Sequence, residues 1–214
     1  MLAVEGALSV TNNFGAWTVP AGCCAWIPAG MRHAITPLPR ARTRTVYVAS
    51  RLIRRACAVL DVTPLLRAIV DHVCDTPPSR DSAAAKHVLA VLRDQLSAQR
   101  ELPLFVPTLK SPLALGVAAA LASDPADTPR IGDLATELGV SNRTLERAFI
   151  ADAGMPLGEW RQRARISHAI ALLAAGGTVQ DIALEVGYET PSAFVSAFKK
   201  FVGTTPGKVT RHGR

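Results

Sequence analysis

IGDLATELGVSNRTLERAF, residues 131–149, and VQDIALEVGYETPSAFVSAF, residues 179–198, echo each other and decide how the chain is read. Ala135 and Gly139 stand four apart, as do Ala183 and Gly187, and each pair recurs 48 residues later. Two helices that cross steeply need a small residue at the crossing, hence the alanines. The sharp turn after them needs a residue that accepts positive φ, hence the glycines. Leu134, Leu138 and Val140 are expected to pack on Leu145 and Phe149. In the second copy Ile182, Val186 and Tyr188 are expected to pack on Phe194, Phe198 and Phe201. Ser141 suits a helix cap, Thr190-Pro191 is a cap followed by a first-turn proline, and Thr178 with Asp181 caps the helix before it. A single αα-hairpin could place Ala and Gly this way for packing alone. Two copies in register point to paired helix-turn-helix units, at 131–150 and 179–201.

Between the copies, PLGEWRQRARISHAIALLAAGG predicts one long helix, with Pro156 at its start and Gly176-Gly177 at its end. Leu157, Trp160, Ile166, Ile170 and Leu173 form its apolar face. About 19 residues at 1.5 Å each give a rod of roughly 28 Å, close to the ~34 Å of one DNA turn. Such a rod would hold two recognition helices over successive major grooves, so one subunit would read a bipartite, non-palindromic site.

The stretch GYETPSAFVSAFKKFVGTTP carries a glycine-aromatic pair, a small-Phe pair, Phe-Lys and a Thr-Pro close. In this, residues 113–211 resemble the DNA-binding domain of the AraC/XylS family of bacterial transcription regulators. The resemblance implies a double-stranded DNA operator as partner and RNA polymerase as a second partner if the protein activates. A cytoplasmic (nucleoid-associated) protein is expected from the lack of a secretory signal and of a membrane-length apolar run, and no catalytic residue or cofactor is expected from the count of candidate metal ligands. It places base-reading positions on Arg143, Glu146 and Arg147. From the residues themselves, Asn142 suits adenine, arginine suits guanine, and Glu146 could accept from cytosine or orient an arginine. Arg143 and Arg147 share an exposed stripe, and Ser141 and Thr144 are phosphate candidates beside them. The second recognition helix offers Pro191, Ser192, Ala193 and Ser196 instead. Ala193 suits a thymine methyl and the serines suit a base or phosphate, so this half-site is expected to be read weakly. Lys199, Lys200, Thr204 and Lys208 are phosphate candidates.

Upstream, residues 1–60 predict short antiparallel strands separated by Asn12-Asn13, Pro20-Ala21-Gly22, Pro28-Ala29-Gly30 and Pro37. Residues 61–100 predict two connector helices. One starts at Thr63-Pro64, and the other carries Val88, Leu92 and Leu96 on one stripe, a candidate for homodimerisation or for packing on the sheet. Prolines 103, 107 and 112 exclude helix from 101–112, which is expected to be an extended linker before a DNA-binding domain at 113–214. The fold expected is α+β: a partial antiparallel cupin-like β unit, connector helices, and an all-α domain with two helix-turn-helix units joined by a long helix.

GCCAWIPAGMRHAITP, residues 22–37, resembles the second half-motif of cupins, with His33 at the position that is often a metal ligand and Pro37 where the motif has Asn. The first half-motif would lie before residue 1, so the β unit is expected to be N-terminally shortened. With one ligand visible, no metal site is expected. Trp26 and His33 are the candidates for lining a small-effector site, the effector itself being unnamed. The cysteines (23, 24, 57, 74) include no CxxC pair and read as buried hydrophobes.

The net charge of +7 agrees with a nucleic-acid partner. Residues 127–214 contribute only +2 of it (11 Lys/Arg against 9 Asp/Glu), with Arg40, Arg42, Arg44, Arg51, Arg54 and Arg55 bunched upstream. No apolar run reaches the ~20 residues of a membrane span.

Overall fold

A computed structural model of the chain describes residues 1–48, 53, 55–79, 82–123 and 130–211. Arg51 and Arg54, in the basic cluster named above, lie outside the described residues. The first strands in chain order are β1 (Leu2–Glu5), β2 (Ala7–Asn12), β3 (Gly15–Pro20), β4 (Cys23–Trp26), β5 (Ala34–Pro37), β6 (Arg42–Arg44) and β7 (Ala58–Asp61). Helices α1 (Pro64–Asp75) and α2 (Ala83–Ala98) follow, then β8 (Glu101–Leu102) and β9 (Phe105–Pro107). The rest is helical: α3 (Pro112–Ser123), α4 (Ile131–Glu137), α5 (Asn142–Ala153), α6 (Leu157–Ala175), α7 (Val179–Glu185), α8 (Pro191–Val202) and α9 (Pro206–Arg211). The fold class is α+β, as the sequence predicts.

The strands form two sheets, ordered β6-β1-β4-β7-β8 and β5-β2-β3-β9. Alternation fixes their register. In the β2–β3 hairpin Leu8 pairs with Val19 and Val10 with Trp17, while Ser9 pairs with Thr18 on the opposite face. A one-residue slip would swap these two faces. The Asn12 carboxamide oxygen accepts from the Phe14 and Gly15 amides and closes the turn. Gly15 is obligatory there: a Cβ would lie 2.3 Å from the Val106 carbonyl oxygen of β9.

The stretch 101–112, expected as a linker, is extended and partly paired over 101–107, and Pro112 already opens α3. β8 joins β7 and β9 joins β3, each as the outermost strand of its sheet. An edge strand tolerates proline because its outward N–H has no ladder partner to lose. The Phe105 ring stacks on Trp17, its cross-strand partner, at 4.4 Å between centroids.

The connector helices cover the outer face of the first sheet. Leu66 of α1 and Leu92 and Leu96 of α2 pack on Leu2, Cys24, Trp26, Ala58 and Leu60. Leu92 and Leu96 of the stripe thus take the second of the two roles expected for it, packing on the sheet, while Val88 is half-buried. Leu65 and Val91 are the large apolar side chains these helices leave exposed. Cys23 and Cys24 are buried as expected, and burial pushes both thiols up, Cys24 to about 11, whereas Cys57 and Cys74 are only half-buried.

The remaining core divides unequally. One cluster holds Leu134, Leu145, Phe149 and Leu157 with Val117 of α3 and belongs to the first helix-turn-helix unit. The other runs without a break from Val10, Trp17, Val19 and Leu104 of the sheets into Ile166, Ile170 and Leu173 of α6, and on to Ile182, Phe194, Phe198 and Val209. Polar contacts pin this seam. The Thr18 and Ser167 hydroxyls share a hydrogen bond, Arg163 donates to the Phe105 carbonyl (3.2 Å), and the Trp160 indole donates to the Pro107 carbonyl (3.2 Å).

Candidate nucleic-acid interface

Each helix pair closes with the same backbone device. The Val140 amide donates to Ala135 O at 2.9 Å, and the Tyr188 amide donates to Ala183 O at 2.9 Å. Gly139 and Gly187 follow at φ +66° and +80°, where a side chain would be strained. Ala135 and Ala183 are both buried at the crossing. After the glycines the second copy holds one more residue: Leu145, Phe149 and Gly154 match Phe194, Phe198 and Gly203 at an offset of 49. Leu138 departs from expectation, being 37% exposed. It sits at the end of α4, where the chain already turns toward α5.

The second helix of each pair starts on its own hydroxyl cap. Ser141 Oγ accepts from the Thr144 amide at 3.1 Å, and Thr190 Oγ1 accepts from the Ala193 amide at 3.2 Å. The Ser141 and Thr144 hydroxyls also bond each other at 2.8 Å. With Leu145, Phe149 and Ala153 buried, α5 exposes Asn142, Arg143 and Arg147 on its outer side. Ile150 extends that row, 53% exposed and seven residues after Arg143. It was not among the sequence candidates, because its chemistry suggests core; the helical period alone would have placed it outside.

Glu146 behaves differently. It is half-buried, and its Oε2 accepts from the Leu157 backbone N–H at 3.3 Å, at the start of α6. The carboxylate expected to meet cytosine or an arginine is turned onto a neighbouring helix.

On α8 the buried side is Phe194, Phe198, Phe201 and Val202. Pro191, Ser192, Ala193, Ser196, Lys199 and Lys200 are exposed. This helix therefore presents small polar groups flanked by two ammonium groups. Lys208 of α9 is exposed and Thr204, just after α8, is half-buried. Beside the start of this unit, Arg165 lies over the Tyr188 ring at 5.8 Å. Burial, reinforced by the neighbouring Arg161, lowers the Arg165 pKa from its ordinary value. The C-terminal end of α8 touches the β unit: Gly203, at φ +83°, lies against the Arg100 guanidinium, which pairs with Asp61 at 3.4 Å.

The effector candidates do not meet. Trp26 is buried, donates from its indole to the Arg55 carbonyl, and lines a narrow apolar cavity between the first sheet and the connector helices. Leu66, Val70, Leu92 and Leu96 line the same cavity, with Arg44 at its polar end. Arg44 is held by Asp71 (3.0 Å) and Asp75 (2.5 Å). His33 is exposed, with Nδ1 2.8 Å from the Met31 carbonyl, and is not among the residues lining that cavity. The cupin-like motif located the turn that carries His33 but not its surroundings. Ile35, beyond it on the edge strand β5, is 39% exposed although its partner Val10 is buried. No helix among the described residues is long and apolar enough to cross a membrane.

Residues 1–108 match the AraC-like ligand binding domain family, and residues 134–212 match the helix-turn-helix domain family. The transcriptional regulator NimR of Escherichia coli is 28% identical over 211 residues, covering 97% of this chain and 77% of NimR. The transcriptional regulator RipA of Corynebacterium glutamicum is 37% identical over 105 residues, covering 49% of this chain and 32% of RipA. Among solved structures, the C-terminal domain of AraT from Geobacillus stearothermophilus aligns with a TM-score of 0.45 at 26% identity, over 47% of this chain and 85% of that one. With both of the family's characteristic domains matched along its length, the chain belongs to the AraC family and is a DNA-binding transcription regulator.

Proposed function

We propose that a single subunit reads a bipartite, non-palindromic operator, with α5 supplying most of the base discrimination and α8 most of the backbone contact. One observation carries this reading: two copies of one helix pair expose outer rows of opposite chemistry. Asn142, Arg143 and Arg147 are long, multiply hydrogen-bonding side chains, whereas Ser192, Ala193 and Ser196 are short. A bidentate arginine or asparagine contact is worth ~1–3 kcal/mol of base discrimination. Short side chains instead let the backbone approach the groove and leave recognition to shape and phosphates. Lys199, Lys200, Thr204 and Lys208 would hold phosphates there, with Ser141 and Thr144 at the first half-site. α6, 19 residues long, would set the distance between the two.

The β unit (1–60) and connector (61–100) would form the sensor, the 101–112 segment its seam, and 113–214 the reader. The cavity beside Trp26 suits a small, mainly apolar effector, since Arg44, the one guanidinium among its described lining residues, is already matched by two carboxylates. The protein would act in the cytoplasm without catalysis of its own. A homodimer, and RNA polymerase as the target of an activating form, are further partners consistent with this reading.

Selection of duplexes from a random pool by the full chain tests the core of it. Two sequence blocks about one helical turn apart, the first sharply defined and the second diffuse, are expected. A single block, or an inverted repeat of one block, would exclude the proposal.

A further inference from the structure

We propose that Glu146 is a positioning residue that sets the angle between the first recognition helix and α6, and through it the spacing between the two half-sites. This rests on the bipartite reading above. The helix that must hold the spacing starts without a cap of its own. α1, α2, α5, α7 and α8 each begin on a Ser or Thr whose hydroxyl accepts from their first turn. α6 begins after Pro156, whose side chain has no acceptor, and no side-chain hydrogen bond is made from that position. The acceptor comes from α5 instead, as Glu146 Oε2 on the Leu157 amide. An anion at a helix N-terminus also meets the positive end of the helix dipole, so charge and hydrogen bond act together.

The geometry makes this contact a bracket. Glu146 lies between Leu145 and Arg147, one buried under α5 and the other exposed on its outer row. Leu157 is itself fully buried in the first unit's core. One carboxylate therefore ties the helix that carries Arg143 and Arg147 to the first residue of the helix that leads to the second unit. At the matching place in α8 stands Val195, half-buried and without an acceptor. The second unit is held by the sheet instead, through the continuous apolar core.

The test selects duplexes from one random pool with the full-length wild type, Glu146→Ala and Glu146→Gln. Without that acceptor the angle between α5 and α6 is no longer set, so Glu146→Ala is expected to bind the wild-type operator several-fold less tightly. It should keep the first block letter for letter and broaden the spacing between blocks by a base pair either way. Glu146→Gln keeps an acceptor oxygen and should restore the narrow spacing. A changed base preference at one position of the first block, with spacing intact, would make Glu146 a base reader and overturn the proposal; unchanged spacing in Glu146→Ala would overturn it as well. Should Glu146→Ala fail to fold by circular dichroism, Glu146→Gln decides alone. Its narrow spacing and unaltered letters support the bracket, and an altered letter refutes it. If the wild type itself selects a single block, the bipartite reading falls with it. Two blocks with unresponsive spacing remove only the role of Glu146.

Discussion

The two helix-turn-helix units share a backbone and differ in what stands behind them. The first rests on a core of its own, built with α3 around Phe149. The second has no separate core: Phe194 and Phe198 are continuous with Trp17, Val19 and Leu104 of the β sandwich. Duplication thus explains the shape of a unit and not its role. The unit with long polar readers meets the sheets through hydrogen bonds from Trp160 and Arg163 of α6 to β9. The unit with short readers is fused to the sensor by apolar packing. A change in the β unit is therefore expected to reach the second half-site first.

The harshest way to break this comparison is to empty each core in turn. Phe149→Ala and Phe198→Ala each remove a fully buried ring and should cost ~3–5 kcal/mol. Their reach should differ. Amide exchange in β2 and β3 is expected to speed up in Phe198→Ala and to stay at wild-type rates in Phe149→Ala. Equal loosening of the strands by both would dissolve the distinction between the cores. At the reading surface, Arg143→Ala is expected to lose ~1–3 kcal/mol of discrimination at one base pair of the first block. Ser192→Ala should lose about 1 kcal/mol or less, as a single neutral hydrogen bond does. Titrations against operators substituted one position at a time would show it, and a larger loss from the serine would reverse the assignment of roles. Lys200→Ala should weaken all sequences alike and flatten the salt dependence by about one unit of slope.

Much of this asymmetry could not be read from the chain. The helix pairs were legible because their determinants are local: Ala135 and Gly139 act within five residues, and hydroxyl caps act within three. The apolar face of α6 was legible for the same reason, through Leu157, Ile166, Ile170 and Leu173. Periodicity says that such a face is covered but not by what, and α6 is covered partly by the sheet through Thr18 and Ser167. β8 and β9 were missed because pairing is decided by strands more than forty residues distant, while the local signal was proline. The Glu146 contact with α6 was not legible for a related reason. The helical phase of Glu146 allows it to lean toward DNA or toward α6, and only the uncapped start at Pro156 hints at which.

The seam offers a finer test. Thr18→Val and Ser167→Ala each remove one partner of the bond between β3 and α6, and each should cost ~0.5–1.5 kcal/mol. If the sheet and α6 unfold together, the double variant should cost less than the sum, with the coupling read from thermal unfolding of all four proteins. Strict additivity would mean that the two hydroxyls do not share a bond in solution.

The smallest effect belongs to the first unit's attachment. Asp152, near the end of α5, accepts from the Lys110 amide at 2.7 Å, the Ser111 amide at 2.9 Å and the Ser111 hydroxyl at 3.1 Å. These bonds, the Lys110 amide foremost, hold its carboxyl below the ordinary aspartate value of 3.8. A lowered folded-state pKa means that the contribution is complete above the unfolded value and drains away as pH falls through the folded one. Since the carboxylate is at most half-buried and reached by solvent, the amount is a fraction of a kcal/mol. Asp152→Asn should therefore differ from wild type by a constant margin at neutral and mildly acidic pH, and the margin should shrink below about pH 4. The loosening should appear as faster exchange at the first amides of α3, with β2 and β3 untouched. Loss of protection in the strands over the same pH range would place Asp152 in the shared core's cooperative unit and erase the boundary between the two readers.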